Sequence, residues 1–381
     1  MTTDDSQPDS IPAPVSADDT PRFPKPTWRS VMSAVAGISL AAVLIIWVLP
    51  WVGGVTWHEI FVSFRKIGWL TCLELFGLVV LGLWCYTFTL TGSLPGLSHV
   101  RALIMNVAGS AAGNLLPGGG AAGVATTYLM ARSWGFLRRE ISTSIIVSGV
   151  WNVLARVALP LLGIAALSLS DNALPPSVRR AAWWGGITGL LLLIAFIAIL
   201  VSPKLTMVVA VWLDRWVAPV FGRLRRGKKK GQVPALGELI VDQRSRMASV
   251  TRTGWLPMTL GLVGFMGIYF ILFWRVFNAV GVNLPWVNLF AAYAIGRLLT
   301  AVGVTPGGVG ITETGTLAVL KAWGADPAAA AAGVLVFGFF THILELPLGA
   351  VGWLAWWKSP KEIPVDHTDH PDHPDHVAAA S

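Results

Sequence analysis

Long apolar runs constrain this chain more than any other feature of its sequence. A helix needs about 17 to 25 mainly apolar residues to cross the roughly 30 Å hydrocarbon core of a bilayer. Runs of this length, or nearly so, lie at 30–49, 67–90, 140–168, 182–201, 255–279 and 327–357. Only 13% of the residues are charged, against about 25% in a typical soluble domain. The sequence therefore predicts an all-α, polytopic membrane protein with six full spans.

Two further apolar stretches, 99–134 and 286–324, are each interrupted near the middle by proline and glycine. The first break reads NLLPGGG from Asn114, and the second reads VTPGGVG from Val304. Proline removes a backbone donor and glycine tolerates positive φ, so each stretch is split into halves too short to cross alone. Broken backbone at membrane depth is stable only inside protein or beside a watery cavity. We therefore predict one re-entrant hairpin at each break.

The two breaks belong to an internal repeat. A shift of 189 residues superposes them without a gap, placing Pro117, Gly118, Gly119, Thr127, Trp134 and Gly135 on Pro306, Gly307, Gly308, Thr316, Trp323 and Gly324. Self-similarity at a fixed period indicates a repeated structural unit. The first copy covers 30–168 and the second covers 182–357, each with three predicted spans and one hairpin.

The number of spans in each copy predicts how the two copies are related. Because three is odd, the second copy must enter the membrane upside down. The hairpins then dip in from opposite sides, and their breaks meet near the midplane. Inverted repeats with broken helices at the midplane are typical of secondary transporters, in which the ends of half-helices bind the substrate. The repeat therefore favours a carrier.

The basic residues predict how the chain is oriented. The formal net charge is +8, and the basic residues cluster in one loop, 202–254, which includes Arg223–Lys230. Lysine and arginine collect in short cytoplasmic loops, so this loop and both chain ends are predicted on the cytoplasmic face. The charge is thus a signal of topology and not of nucleic-acid binding. The polar ends, 1–29 and 358–381, are predicted to be disordered tails.

Ionisable side chains inside apolar runs are costly in a bilayer and are therefore candidates for function. They are Glu74, Arg156, Arg275, Arg297, Glu313, His342 and Glu345. The shift of 189 residues places Arg156 on Glu345, so opposite charges lie at symmetric positions of the third and sixth spans. Either they form a permanent ion pair, or Arg156 binds a phosphate when the pair opens. Glu74 and Arg275 have no predicted role.

The second hairpin carries two of these candidates. Arg297 lies nine residues before Pro306. It either faces a cavity and binds a phosphodiester through two donors, or it reaches the outer headgroups. Glu313 falls in the first turn of the returning half-helix, where the helix dipole stabilises a carboxylate. It binds a cationic headgroup, carries a coupling proton or simply caps the helix.

Uncharged residues in and near the breaks are further candidates. Asn114 and Asn152 either donate to a phosphate or form hydrogen bonds between helices. Amides freed at the Pro-Gly-Gly turns can cradle a phosphate, and glycine also permits the sharp reversal. We expect both roles from the turn residues Pro117, Gly118, Gly119, Pro306, Gly307 and Gly308. His342 is expected to be a packing residue rather than a proton relay.

The hairpin sequences NLLPGGGAAGVATTYLMARSWG and TPGGVGITETGTLAVLKAWG resemble the family of lysylphosphatidylglycerol synthase transmembrane regions, also called flippase-like membrane proteins. The resemblance covers about 30–357 and is most specific at Pro306, Gly307, Gly308, Gly310 and Glu313. It implies a membrane domain that flips aminoacylated phosphatidylglycerol, polyprenyl-phosphate-linked sugars or related lipids. Neutral residues at 120–125 stand where members commonly carry Gly-Glu and Arg, which points to a different headgroup.

We therefore expect a flippase for an anionic, phosphate-bearing lipid, such as a phospholipid or a polyprenyl-phosphate-linked lipid, in the plasma membrane. The alternative is a non-transporting scaffold that docks a lipid- or envelope-glycan-modifying enzyme through 202–254. No Walker loop, HExxH, GxSxG or CxxC motif occurs, and no aminoacyl-transferase domain follows residue 357, so we expect neither catalysis nor a cofactor. The Asp-His repeat at 366–376 either binds Zn weakly or is a solvated end.

Overall fold

The computed structural model describes residues 42–115, 119–168, 236–300, 305 and 308–362, with isolated helical positions between 28 and 40 and between 187 and 194. The described residues fold almost entirely into helices. These are α1 (Leu49–Gly53), α2 (Trp57–Phe64), α3 (Trp69–Ser93), α4 (His99–Leu115), α5 (Gly120–Ser133), α6 (Arg138–Ser168), α7 (Leu236–Val280), α8 (Trp286–Leu299), α9 (Ile311–Ala322), α10 (Pro327–Gly338) and α11 (Glu345–Lys358). One π-helical turn, Leu44–Val48, leads into α1, and another, Phe339–Ile343, joins α10 towards α11.

Four helical segments are long and apolar enough to cross a membrane, namely Trp69–Ser93, Arg138–Ser168, Arg246–Val280 and Pro327–Lys358. They coincide with four of the six predicted spans, so the all-α membrane fold is confirmed. Taken together, Leu44–Gly53 and Trp57–Phe64 are also long and apolar enough to cross a membrane, although they are bent by 91° against each other. The predicted span 182–201 and the first part of the predicted span 30–49 lie, apart from isolated positions, outside the described residues.

The last part of the predicted basic loop is helical. The loop was predicted over 202–254, but 236–254 forms the first part of α7 and continues without a break into the span. Apolar length marks only the part of a helix that lies in lipid. Apolar length gives no signal for a helix that continues beyond the lipid, where backbone hydrogen bonds and helix-forming residues are sufficient to stabilise it. The remainder of the loop lies outside the described residues.

The two broken stretches form two pairs of short helices. Helices α4 and α5 have 17 and 14 residues, and α8 and α9 have 14 and 12, all shorter than the roughly 20 residues of a full span. Within each pair the two helices pack against each other. Before the returning helix, φ is 37° at Gly119 and 75° at Gly308, a region that favours glycine. These two glycines are equivalent under the shift of 189 residues.

A matching close contact holds each pair together. A Cβ on Gly109 of α4 would lie 2.9 Å from Thr127 Oγ1 of α5, and a Cβ on Gly296 of α8 would lie 2.7 Å from Thr316 Oγ1 of α9. Thr127 and Thr316 are also equivalent under the shift. In both hairpins a threonine of the returning helix therefore packs on a glycine of the entering helix, although Gly109 and Gly296 are not equivalent under the shift. Their opposite orientation in the membrane stays a prediction.

Glycine seams hold the spans close to each other. A Cβ on Gly254 of α7 would lie 2.1 Å from the carbonyl oxygen of Gly92 on α3, so no larger residue fits there. Three residues away from Gly92, the buried Thr89 hydroxyl donates to the Met258 carbonyl at 3.1 Å. Small residues and hydrogen bonds of this kind drive helix association in lipid, where apolar burial gives little preference for a neighbouring helix. Close packing along this seam therefore joins α3 to α7.

The end of α11 is fastened to the first hairpin. The Trp134 indole donates to Ser359 Oγ at 3.0 Å, and the Glu362 amide donates to the Ser133 carbonyl at 3.0 Å. Arg101, near the start of α4, forms an ion pair with Glu362 at 2.5 Å. The disordered tail was predicted from residue 358, but Lys358 ends α11 and Ser359 and Glu362 make these contacts. The rest of it, and nearly all of 1–29, lies outside the described residues.

Candidate functional site

A polar chamber lies between helices of both predicted repeat copies. It is a cavity of about 210 Å³. Its lining comes from α3, α4, α6, α7, α8 and the segment around the start of α11, and comprises Leu83, Tyr86, Asn106, Ser110, Asn114, Asn152, Arg156, Phe265, Tyr269, Arg297, Thr300, Thr341, His342 and Glu345. Five predicted site residues are thereby brought together, namely Asn114, Asn152, Arg156, Arg297 and Glu345. Residues far apart in the sequence therefore share one cavity.

One side of the chamber holds a carboxylate. Asn114, in the last turn of α4, donates from Nδ2 to Glu345 Oε2 at 3.4 Å. The Ser110 side chain, one turn earlier on α4, also hydrogen-bonds to Glu345. Because Glu345 begins α11, these contacts join the first hairpin to the last span. Asn114 thus forms the bond between helices that the sequence left open, and it still borders the cavity.

The other side of the chamber holds the Arg156 guanidinium. Arg156 Nη1 donates to Thr300 Oγ1 at 3.3 Å, and the Thr300 hydroxyl donates to the Arg297 carbonyl at 2.6 Å. One turn earlier on α6, Asn152 donates to the Tyr86 hydroxyl at 2.7 Å. Among the described residues no ion pair joins Arg156 to Glu345. The two side chains share the cavity but are held by neutral partners on different helices.

Arg297 faces inward from α8 against aromatic rings. Its guanidinium carbon lies 5.5 Å from the ring centroid of Phe265, 5.7 Å from that of Tyr269 and 6.0 Å from that of Tyr293. Contacts at this distance attract a cation to the face of the ring. Its Nε is buried without a hydrogen-bond partner in the part of the chain that the structure describes. Of the two predicted positions for this side chain, the structure therefore has the one that faces the cavity.

The chamber is electrostatically mixed. Arg297 is close enough to both Arg156 and Glu345 to interact with each charge. Two guanidinium groups in one cavity repel each other, and Glu345, the one carboxylate among the described lining residues, offsets only one of them. Amide and hydroxyl groups supply most of the remaining polar surface. The arrangement therefore offers an anion both positive charge and hydrogen-bond donors.

Glu313 lies beside the chamber and not in its wall. It borders a smaller cavity of about 20 Å³ that is also lined by Arg297, Thr300 and His342. Its side chain is 4% exposed, and Oε2 accepts a hydrogen bond from the Gly310 amide at 2.6 Å. This is the helix-capping role that the sequence left open for Glu313. The cap fixes the start of α9.

The turn glycines that the structure describes do not line the chamber. Gly308 donates its amide to the Thr305 carbonyl at 3.0 Å, so that amide is used inside the turn. A Cβ on Gly308 would lie 2.9 Å from Thr300 Cα, which explains why glycine stands there. Gly119 and Gly308 therefore permit the reversal, and the described geometry gives neither of them a phosphate-cradling role. Pro117, Gly118, Pro306 and Gly307 lie outside the described residues.

Several lining residues were missed in the sequence, although a signal for them exists. Asn106, Ser110 and Asn114 recur every four residues on α4, which places them on one helical face. The same spacing relates Asn152 to Arg156. It also relates the aromatic pair Phe265 and Tyr269, and the pair Thr341 and Glu345. Polar residues at this spacing within an apolar run predict a wet helix face.

Glu74 and Arg275 lie away from the chamber. The Arg275 guanidinium donates from Nε and Nη2 to the two Glu74 carboxylate oxygens, both at 2.6 Å. The two side chains are 42% and 34% exposed, so the pair lies on the outer surface where α3 meets α7. It fastens the two spans and provides an arginine that is independent of the chamber.

Long apolar helices around a polar chamber define a multi-pass helical membrane protein. The chain belongs to the family of lysylphosphatidylglycerol synthase transmembrane regions, because the model of that family matches residues 34–349. The resemblance seen in the hairpin sequences is thereby confirmed. The family implies a role connected with membrane lipids. A search of curated proteins found no match to the chain.

Proposed function

We propose that this protein flips an anionic, phosphate-bearing lipid across the plasma membrane. The observation that carries the proposal is the position of Arg156 and Arg297, which come from different predicted repeat copies and face one polar chamber between apolar helices. Planar guanidinium groups bind phosphate oxygens through two parallel donors. A phosphate between the two arginines would relieve their mutual repulsion.

The neutral lining supports the same substrate class. Asn106, Ser110 and Asn152 supply amide and hydroxyl groups around the arginines. Such groups replace part of the water that a headgroup loses when it leaves the membrane surface. Glu345 keeps the net charge of the chamber low, which favours release of the bound anion. The proposed transport needs no catalytic step and no cofactor. We also propose that both chain ends lie on the cytoplasmic face.

Transport by purified protein tests the proposal. Protein reconstituted in liposomes should equilibrate labelled phosphatidylglycerol or labelled polyprenyl phosphate between leaflets faster than empty vesicles. Arg156→Gln and Arg297→Gln should each bring the rate close to that of empty vesicles. The double variant Arg275→Gln and Glu74→Gln is the matched control, because it removes an arginine outside the chamber without leaving Glu74 unpaired, and it should leave the rate unchanged. Failure of the unmodified protein to move either lipid would contradict the proposal.

The scaffold alternative makes a different prediction in cells. A protein that only docks an enzyme through 202–254 has no use for arginines in the chamber. Its cellular phenotype should survive Arg156→Gln and Arg297→Gln and be lost when basic residues of the loop are replaced. A flippase should respond in the opposite way.

A further inference from the structure

An apolar groove lies between α6 and α7, next to Phe290 of α8. Its volume is about 550 Å³, and its lining is almost entirely hydrocarbon, including Trp151, Ala158 and Leu162 of α6 and Val263 and Gly267 of α7. It is more than twice as large as the polar chamber. The groove has no role in phosphate binding, because none of its described lining residues carries a charge.

The groove and the polar chamber share the same two helices as walls. On α6, Trp151 and Ala155 line the groove while their neighbours Asn152 and Arg156 line the chamber. On α7, Met266 and Phe270 line the groove while Phe265 and Tyr269 line the chamber. Adjacent residues point about 100° apart around a helix, so one stretch of helix presents each chemistry to a different side. The two cavities therefore lie at the same depth.

The length of the groove matches one leaflet. Its lining on α6 runs from Trp151 to Leu162, and on α7 from Thr259 to Phe270. At 1.5 Å per residue each wall is about 16 Å long, close to half of the roughly 30 Å hydrocarbon core. A polar cavity with an apolar channel of leaflet length beside it fits the two parts of an amphipathic lipid.

We propose that this groove binds one hydrocarbon chain of the lipid whose phosphate occupies the chamber. The inference rests on the proposed function and adds to it a route between α6 and α7 by which the lipid enters sideways from the bilayer. The substrate class is then a long-chain lipid. A water-soluble phosphate ester has the same headgroup chemistry but leaves the groove unused.

Gly267 offers a way to test the groove without disturbing the fold. A Cβ at this position would meet no atom within 4 Å, so a larger side chain extends into open space. Replacing glycine inside a helix also removes a residue that disfavours helix formation. Gly77 of α3 is equally open, exposed and outside both cavities, which makes it the matched control.

The test compares binding of long-chain and six-carbon-chain phosphatidylglycerol, and of long-chain and short-chain polyprenyl phosphate, to the purified full-length protein. The unmodified protein should prefer the long chains. Gly267→Leu displaces a few methylene groups and should weaken long-chain binding by about tenfold while short-chain binding stays unchanged. Gly77→Leu should leave both unchanged.

The outcomes separate the groove from the chamber. If Gly267→Leu binds every probe as Gly77→Leu does, the groove proposal is overturned while the phosphate site stands. If the unmodified protein binds no probe of either length, the proposed function itself fails. If Gly267→Leu lowers the melting temperature and leaves lipid preference intact, another part of the chain, such as 182–201, fills the groove, and this also overturns the proposal.

Discussion

Arg156 Nη1 donates to Thr300 Oγ1 at 3.3 Å, and this bond joins a full span to the end of the half-helix that carries Arg297. Thr300 in turn donates to the Arg297 carbonyl. The Thr300 hydroxyl thus holds the Arg156 guanidinium next to the helix turn that carries Arg297. Four predictions follow from this and related contacts.

Thr300→Val should reduce lipid flipping several-fold without unfolding the protein. The substitution keeps the shape of the side chain but removes the acceptor for Arg156, and a misplaced guanidinium loses part of its paired contact with phosphate. The measurement is the flipping rate in liposomes alongside the melting temperature. Thr91→Val is the control, because Thr91 donates only within its own helix, to Phe88. If both variants change the flipping rate equally, Thr300 does not position Arg156.

Glu345→Gln should strengthen binding of short-chain phosphatidylglycerol several-fold. The substitution keeps a group that Asn114 and Ser110 can bond and removes the only carboxylate among the described chamber-lining residues. The two arginines then attract an anion without an opposing charge nearby. The gain should shrink as salt is added, to the degree that the chamber is open to water. Weaker binding at every salt concentration would show that the carboxylate itself contacts the ligand.

Glu313→Gln should retain stability and flipping, whereas Glu313→Ala should lower stability by about 1 kcal/mol. Both substitutions remove the charge, but only glutamine keeps an oxygen that accepts from the Gly310 amide. Melting temperature and flipping rate are the measurements. Loss of flipping in the glutamine variant with unchanged stability would assign Glu313 a proton or a headgroup instead of a cap.

Gly254→Val should destabilise the protein by about 1 to 3 kcal/mol or more, because the side chain would overlap the Gly92 carbonyl in the seam between α3 and α7. Gly267→Ala, on the same helix, should be neutral or stabilising by up to about 1 kcal/mol. Thermal unfolding in detergent measures both. Similar melting temperatures for the two variants would mean that the seam is not needed for stability.

Apolar length was sufficient to predict the fold class and the four spans that the structure describes. It did not predict the first part of α7, because a polar helical extension has no apolar signature. It also did not predict the contacts of Ser359 and Glu362 with the first hairpin. These depend on side chains that only the folded chain brings together.

Charge in an apolar run was the signal that found Arg156, Arg297 and Glu345. Uncharged or aromatic lining residues such as Tyr86 and Phe265 were missed, because the same residue types are common in helix packing. The partners of each charge were not predictable either. The symmetric positions of Arg156 and Glu345 predicted an ion pair, but among the described residues the two side chains share only the cavity. Which neutral group each one bonds depends on helix rotation.

Ser359 and Glu362 attach the end of the described chain to Ser133 and Trp134. At Glu362 the chain is therefore connected to the first hairpin as well as to α11. A fluorophore placed just beyond this point would report movement of that hairpin as well as of α11.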